Sequence, residues 1–161
     1  MKIIKLTQGF CTKVDAKDFE RLSQYKWMVK TDKKTSYARR MKTLNKKQVA
    51  VQMHREILDA PKGMQVDHIN GDGLDNRRCN LRLCTGQQNS FNKASLKSNT
   101  SGYKGVVWEK SRGKWKAQIV HNNKSISIGI YEDKQEACKA YNNKARELFG
   151  EFAYINKLWI N

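Results

Sequence analysis

Apolar and polar residues alternate in short runs along much of the chain, a pattern typical of strands with one buried face. Near the N-terminus, runs such as KIIKLTQGF and YKWMVKT have mostly Lys and Arg among their charged positions. They predict a small antiparallel sheet over residues 1–50 with a basic solvent face. The spacing of apolar residues then becomes helical over residues 52–58, and Ala60, Pro61 and Gly63 end this helix.

The middle of the chain, over residues 64–93, predicts a strand, a long loop, a returning strand and a short helix. MQVDHI is typical of a strand, the loop after it is rich in Gly, Asp and Asn, and LRLC is the returning strand. Thr85 and Gln88 have the spacing of a capping box, so we expect the helix to begin there. Residues 95–101 lack apolar periodicity and are predicted to form a linker.

The last part of the chain, over residues 102–157, predicts three more strands and a longer helix. The runs YKGVVWEKS, GKWKAQIVHN and KSISIGIYED alternate in hydropathy and are separated by turn residues, which indicates an antiparallel meander. Asp133, with Glu136 three positions later, is placed to start the helix, and Gly150 is placed to end it. The fold class predicted for the whole chain is α+β.

The chain is strongly basic, with 32 Lys and Arg against 15 Asp and Glu and a formal net charge of +17. A positive field of this size favours polyanions as partners. No run reaches the roughly 18 apolar residues of a membrane span, and the N-terminus lacks the apolar stretch of a secretory signal. We therefore expect no membrane association and a cytoplasmic location. Cys79 and Cys84 lack a second pair to complete a zinc site, so we expect buried thiols.

An Asp-His pair, Asp67 and His68, lies at the end of the strand MQVDHI. Neighbouring side chains on a strand point to opposite faces, so the two share a site only where the strand ends or twists, as it does at the following loop. A histidine can deprotonate water, and a carboxylate can bind a hard cation such as Mg²⁺. Asn89, in the predicted helix, is a candidate second ligand. This set suits the hydrolysis of a phosphodiester.

Four positions of this segment resemble the HNH endonuclease motif of the phage homing type. Asn80 follows His68 by twelve positions and Asn89 follows Asn80 by nine, with NGDGLDNRRCNLRL over the loop and the second strand. The last motif residue in this chain is Asn, as in one subfamily, rather than the His of the family's name. The resemblance also extends to the MHREIL stretch and the basic strands before it.

This resemblance implies an HNH nuclease domain over residues 1–94 that contains a ββα-metal unit. His68 would be the general base, and Asp67 and Asn89 would bind the metal ion, Mg²⁺ or Mn²⁺. Asn80 would brace the loop through hydrogen bonds to its backbone and thereby orient the base.

Residues 102–157 resemble the plant APETALA and ethylene-response-factor DNA-binding domain. The shared features are YKGV, GKW, the Ile-Gly pair and the EACKAY helix. The resemblance implies a sheet that lies in the major groove of DNA. Val107, Val120 and Ser127 stand where the plant proteins usually have Arg, Arg and Trp, so their target specificity does not carry over. Position by position, the candidate DNA contacts are Lys104, Lys110, Arg112, Trp115, Lys116 and Gln118, with Lys124 as a further candidate.

Several candidate residues have an ordinary structural interpretation beside the functional one. Arg77, Arg78 and Arg82 are candidate contacts to DNA phosphates, but Arg at such positions is also typical of a solvated strand face. Trp115 suits a core position as well as a contact to a base. His54, in the MHRE stretch, is expected to be structural, with packing against the site or a phosphate contact as the alternative.

Together these features predict a metal-dependent endonuclease that cuts double-stranded DNA, with the C-terminal domain recognising the target. The alternative is a non-catalytic DNA-binding regulator that keeps the HNH fold as a scaffold; the four intact motif positions count against it. An RNA-directed nuclease is less favoured because no spacing typical of single-strand stacking surfaces is present. One site per chain suggests a monomer that nicks one strand, with a dimer that cuts both strands as the alternative. If a phage encodes the protein, the expected location is the host cell cytoplasm.

Overall fold

The computed structural model describes residues 1–32, 35–94 and 99–158. The chain divides into two compact units, Met1–Asn89 and Ser90–Asn161. The first part of the predicted linker lies outside the described residues, and the assignment of a nuclease domain and a DNA-binding domain stays a prediction. Within the described ranges, no helix is long and apolar enough to cross a membrane.

The first unit consists of short strands and helices in three small antiparallel sheets, formed by β1 with β2, by β3, β4 and β5, and by β6 with β7. A fold of this kind is a mixed α and β structure, as the hydropathy pattern predicts. In chain order its elements are β1 (Lys2–Lys5), β2 (Cys11–Val14), α1 (Ala16–Ser23), β3 (Met28–Thr31), β4 (Ser36–Leu44), β5 (Lys47–Gln52), α2 (Met53–Ile57), β6 (Gln65–His68), β7 (Leu81–Cys84) and α3 (Gly86–Phe91).

One apolar core holds the elements of the first unit together. Trp27 is its largest fully buried side chain, and its indole Nε1 donates a hydrogen bond of 2.8 Å to the Leu22 carbonyl. Val66 of β6 and Leu81 of β7 join the same core. The β6–β7 hairpin is therefore anchored by burial against the N-terminal sheets, which a two-stranded hairpin needs for stability in water.

The prediction of one sheet over residues 1–50 is wrong, because helix α1 separates two sheets there. Phe19 and Leu22, three positions apart, form the apolar side of α1, and Leu22 is fully buried. This signal is only about two turns long and lies between basic alternating runs. The expectation of a buried thiol holds for Cys84 but not for Cys79, which is exposed.

The second unit is a three-stranded antiparallel meander with one long helix, as the alternating runs predict. Its elements are β8 (Val106–Glu109), β9 (Lys114–His121), β10 (Lys124–Tyr131) and α4 (Lys134–Phe149), with β9 as the central strand. The Asp133 carboxylate accepts hydrogen bonds from the backbone N–H groups of Gln135 and Glu136, at 2.7 and 2.9 Å. The predicted N-terminal cap is therefore present, and Gly150 ends the helix with a φ of +53°.

Alternation along the strands gives the meander two different faces. Val106, Ala117 and Ile119 are buried and form a core with α4. Lys116 and Gln118 lie between these positions in β9, so they point to the opposite face. We call this opposite side the open face of the meander. It is the side on which a DNA contact by the sheet would have to be made.

The close approach of Gly105 to α4 generates a stability prediction. Gly105 has a φ of +75°, and a Cβ there would overlap the Tyr141 ring and the Gln118 carbonyl. Gly113 has a φ of +61° with open space around it. We expect Gly105→Ala to lower the free energy of unfolding by about 3 kcal/mol or more, from overpacking and backbone strain together. Gly113→Ala should cost only about 1–2 kcal/mol from strain.

Urea denaturation of both variants, followed by tryptophan fluorescence, measures the two losses. Gly113→Ala is the matched control because it makes the same chemical change at a left-handed residue of the same unit. Equal losses in the two variants would contradict the close packing of Gly105 against Tyr141.

Candidate active site

The Asp-His pair lies at the end of β6, where the strand gives way to a long polar loop. In the β6–β7 hairpin, Asp67 is opposite Arg82 and His68 is opposite Leu81. Both members of the pair are buried, at 6% exposure each. The hairpin thus places a carboxylate and an imidazole beside the loop over residues 69–80, as the strand pattern predicts.

Asn80 fastens the two ends of this loop to each other. Its backbone carbonyl accepts from the Ile69 N–H at 2.9 Å, and its side-chain Oδ1 accepts from the Asn70 N–H at 3.0 Å. Its Nδ2 donates to the Asp75 carbonyl at 2.8 Å. The buried Asn80 side chain therefore contacts backbone groups on both sides of the loop, the contacts expected of a residue that braces it.

The loop is also attached to strand β2. The Lys13 N–H donates to the Leu74 carbonyl at 2.9 Å, and the Lys13 carbonyl accepts from the Asn76 N–H at 2.8 Å. The Thr12 hydroxyl donates to the same Leu74 carbonyl at 2.7 Å. Sequence reasoning missed this attachment, since no local pattern links residues more than 60 positions apart.

A hydrogen bond and two aromatic contacts surround the His68 ring. Its Nε2 lies 3.2 Å from Oδ1 of Asn76, and Nδ2 of Asn76 donates to the Thr12 hydroxyl oxygen at 2.8 Å. The rings of His54 and Tyr37 lie beside it, with centroid distances of 5.0 and 5.8 Å. The imidazole is held on one side by a polar network and on another by rings.

Burial is the main influence on the pKa of His68, and the pKa lies below its ordinary value of 6.5. The hydrogen bond with Asn76 and the charges of Asp67, Asp72 and Asp75 act in the opposite direction. Because the net effect is a lower pKa, the ring is neutral at neutral pH. A neutral imidazole is the form that can accept a proton.

His54 is the second histidine of the cluster, and it is 5% exposed. Within the described part of the chain, its buried Nδ1 has no hydrogen-bond partner. Burial lowers its pKa to about 3, and the nearby His68 and Arg55 act in the same direction. Its packing against His68 agrees with one of the roles considered for it, while a phosphate contact stays a prediction.

The two predicted metal ligands lie on one side of β6. Gln65 and Asp67 are two positions apart on the strand and share a face. Nδ2 of Asn89 donates to Oε1 of Gln65 at 2.7 Å, which holds Asn89 against this face. Since its amide nitrogen is turned toward Gln65, its amide oxygen is turned away from that residue. Asp67 also accepts hydrogen bonds from Nε and Nη2 of Arg82, at 2.9 and 2.7 Å on Oδ2.

The donor set of this face fits a hard cation. A carboxylate and an amide oxygen are the ligand types that Mg²⁺ and Mn²⁺ prefer, and Mg²⁺ keeps several waters beside one or two protein ligands. The described residues contain no group of three or more His, Cys, Asp and Glu placed to bind a metal ion.

The three arginines predicted to contact phosphates are each paired with a buried carboxylate. Arg82 pairs with Asp67, Arg77 pairs with Asp75 at 2.6 Å, and Arg78 pairs with Asp18 at 2.8 Å. Arg77 lowers the pKa of Asp75, and Arg78 lowers the pKa of Asp18. These arginines therefore stabilise the site, and their contact with DNA stays a prediction.

The candidate contacts of the second unit differ in accessibility. The Lys104 Nζ donates to the carbonyls of Phe91 and Lys93 at 2.8 and 2.7 Å, and burial lowers its pKa to about 8. Trp115 lies on the core side of the meander. Its cross-strand partner in β8 is the exposed Trp108, and the centroids of the two rings are 5.0 Å apart. Trp108 was not among the predicted DNA contacts. The alternating pattern of the two strands could have indicated that Trp108 and Trp115 are neighbours. Of the other candidates, Lys116 and Gln118 lie on the open face, Lys110 and Arg112 lie in the turn between β8 and β9, and Lys124 is the first residue of β10.

Comparison with known proteins agrees with the motif. The HNH endonuclease family matches residues 59–91. Over 140 residues the chain is 38% identical to an Acanthamoeba polyphaga mimivirus protein named as an uncharacterized HNH endonuclease, covering 85% of this chain and 70% of that protein. It is also 38% identical over 93 residues to Protein 3.8 of Escherichia phage T7, covering 58% of this chain and 76% of that protein. No solved structure matches.

The chain therefore belongs to the HNH endonuclease family, and it is a nuclease. HNH nucleases generally depend on a divalent metal ion, and a nuclease domain of this family implies DNA as the substrate.

The buried neutral His54 generates a prediction for stability against pH. In the unfolded chain His54 takes up a proton near its ordinary pKa of about 6.5, whereas in the folded protein it does so only at about 3. The unfolded state thus binds more protons between these values, and stability falls as the pH falls. The slope due to His54 should approach about 1.4 kcal/mol per pH unit.

The measurement is the free energy of unfolding in urea between about pH 7 and about pH 5, where most carboxylates remain ionised. We expect His54→Phe to have a shallower slope than the native protein. A native slope in His54→Phe would contradict a neutral, buried His54.

Proposed function

We propose that this nuclease hydrolyses phosphodiester bonds of double-stranded DNA in a ββα-metal site formed by β6, β7 and α3. The observation that supports this most directly is the buried Asp67 and His68 at the end of β6, with Asn89 held on the Asp67 side of the strand. These are the residues that the HNH motif assigns to metal binding and to base catalysis.

In this proposal His68 removes a proton from the attacking water. Its burial keeps it neutral, and its hydrogen bond to Asn76 fixes the ring while the proton is transferred. General-base catalysis of this kind contributes about 10²–10⁴-fold to a rate. Asn80 acts through the loop, because its three hydrogen bonds keep the backbone next to His68 in place.

Asp67 and Asn89 would hold the divalent cation through one carboxylate and one amide oxygen. A bound Mg²⁺ or Mn²⁺ stabilises negative charge on the phosphate and on the leaving oxygen. Arg82 orients the Asp67 carboxylate through two hydrogen bonds to Oδ2. Gln65 orients the Asn89 amide from the other end.

We further propose that the open face of the meander recognises DNA, as the resemblance to the APETALA-type domain implies. Lys116 and Gln118 on this face, with Lys110 and Arg112 in the adjoining turn, offer charge and hydrogen bonds for phosphates and base edges. Lys104 would have to leave two backbone carbonyls to contact DNA. The monomeric state that one site per chain suggests is part of the same proposal.

The role of His68 is tested by its replacement with alanine. We expect His68→Ala to reduce metal-dependent nicking of supercoiled plasmid by about 10²–10⁴-fold, because the base is absent, while DNA affinity is retained. Cleavage is measured with Mg²⁺, Mn²⁺ or EDTA, and binding by electrophoretic mobility shift. His121→Ala, at the third histidine of the chain, is the control and should cut at the native rate. Unchanged cutting by His68→Ala would exclude the assignment, and binding by the native protein without any cutting would favour the non-catalytic regulator.

The open face is tested by matched neutral replacements of two lysines. Lys116→Gln removes a charge from the open face, whereas Lys139→Gln removes one from the exposed side of α4. If Lys116 contacts a phosphate, its replacement should weaken binding and reduce the slope of log affinity against log salt by about 1. Lys139→Gln should leave the slope near its native value. Equal changes in the two variants would indicate only a general effect of net charge.

A further inference from the structure

We infer that Thr12 and Asn76 are positioning residues that set the tautomer of the neutral His68 ring, with the proton on Nε2 and the proton-accepting lone pair on Nδ1. The consequence for cleavage rests on the proposed function, in which His68 is the base. The tautomer itself follows from the hydrogen-bond network alone.

The direction of the network is fixed at the Leu74 carbonyl. A carbonyl oxygen can only accept, so the Thr12 hydroxyl, at 2.7 Å, must donate its single proton to it. The Thr12 oxygen then has only lone pairs left for its other neighbour. The Asn76 side-chain atom at 2.8 Å from this oxygen must therefore be the donor, which is the amide nitrogen Nδ2.

This orientation of the amide determines which atom faces His68. With Nδ2 toward Thr12, Oδ1 of Asn76 is the atom 3.2 Å from Nε2 of His68. An amide oxygen has no proton to give, so Nε2 must be the donor in this hydrogen bond. A neutral imidazole has one ring proton, and with that proton on Nε2 the lone pair is on Nδ1.

The surroundings of Asn76 oppose a flip of its amide. Thr12 and Asn76 are fully buried, at 0% and 1% exposure, so water does not replace a lost partner. A flipped amide would put its oxygen against the Thr12 oxygen, which has no second proton. The backbone bonds of Lys13 to Leu74 and Asn76 keep the two side chains at this separation. Thr12 thus acts on His68 through Asn76.

The test compares Thr12→Val with Thr12→Ser in the full-length protein. Valine has nearly the shape of threonine but no hydroxyl, whereas serine keeps the hydroxyl. The tautomer is measured by long-range ¹⁵N–¹H NMR of ¹⁵N-histidine-labelled, metal-free protein at a pH well above the ordinary histidine pKa of about 6.5. The chain has three histidines, so the His54→Phe and His121→Phe variants assign the signals.

We expect His68 to have its proton on Nε2 in the native protein and in Thr12→Ser. In Thr12→Val the amide of Asn76 is free to flip, so a fraction of His68 should shift its proton to Nδ1. The kcat for cleavage should then fall in proportion to the fraction of the Nε2–H form that is lost, because only that form is competent, and KM for DNA should not change. Thr12→Ser should restore both the tautomer and kcat.

A native His68 with its proton on Nδ1 would overturn the inference without any variant. An unchanged tautomer in a folded Thr12→Val would overturn the role of Thr12. If the tautomer responds as expected but native His68 and His68→Ala cut DNA equally well, the inference about the ring stands and the proposed base is wrong.

Discussion

The attachment of the 69–80 loop to strand β2 is the interaction on which the site depends. The loop leaves β6 at His68 and returns to β7 at Leu81, and twelve polar-rich residues between two short strands would have many conformations in isolation. Two backbone hydrogen bonds between the loop and Lys13, and one from the Thr12 hydroxyl to the Leu74 carbonyl, restrict the conformation of the loop. Strand β2 therefore holds the loop that follows Asp67 and His68, although it contributes no residue to the HNH motif.

Buried ion pairs reinforce this attachment in a chain with an excess of positive charge. Asp18, Asp67 and Asp75 are almost completely buried, and each is paired with an arginine from the loop or from β7. A buried carboxylate without a partner would be strongly destabilising, so each of these arginines compensates a charge that the fold has buried, and at Asp18 Arg78 does so together with Arg21. The arginines of NRRCNLR thus have a structural role that competes with contacts to DNA.

The sequence was sufficient wherever the signal is local. Asp67 and His68, which the motif selects, end strand β6, Asn80 directly precedes β7, and the capping pair Thr85 and Gln88 forms both of its hydrogen bonds. The helix that they begin is shorter than predicted and ends at Phe91.

The signals that failed depend on distant residues or on short elements. Nothing near Thr12 indicates that its hydroxyl approaches residues 74 and 76, and nothing near Lys104 indicates that its ammonium binds two backbone carbonyls. Helix α1 was not predicted because its apolar side consists of only two residues, Phe19 and Leu22, and lies between basic runs. Hydrogen bonds between residues far apart in sequence depend on the tertiary fold, which hydropathy periodicity does not reveal.

Two electrostatic environments of different character exist in this protein. If Lys116 of the open face contacts a phosphate as proposed, salt screens this attraction, with a Debye length of about 8 Å at physiological ionic strength. The network from Leu74 through Thr12 and Asn76 to His68 is buried and consists of short hydrogen bonds, which salt hardly affects. In the proposed function, salt therefore governs how often DNA is bound, whereas the direction of a few buried hydrogen bonds governs whether His68 presents a lone pair to water.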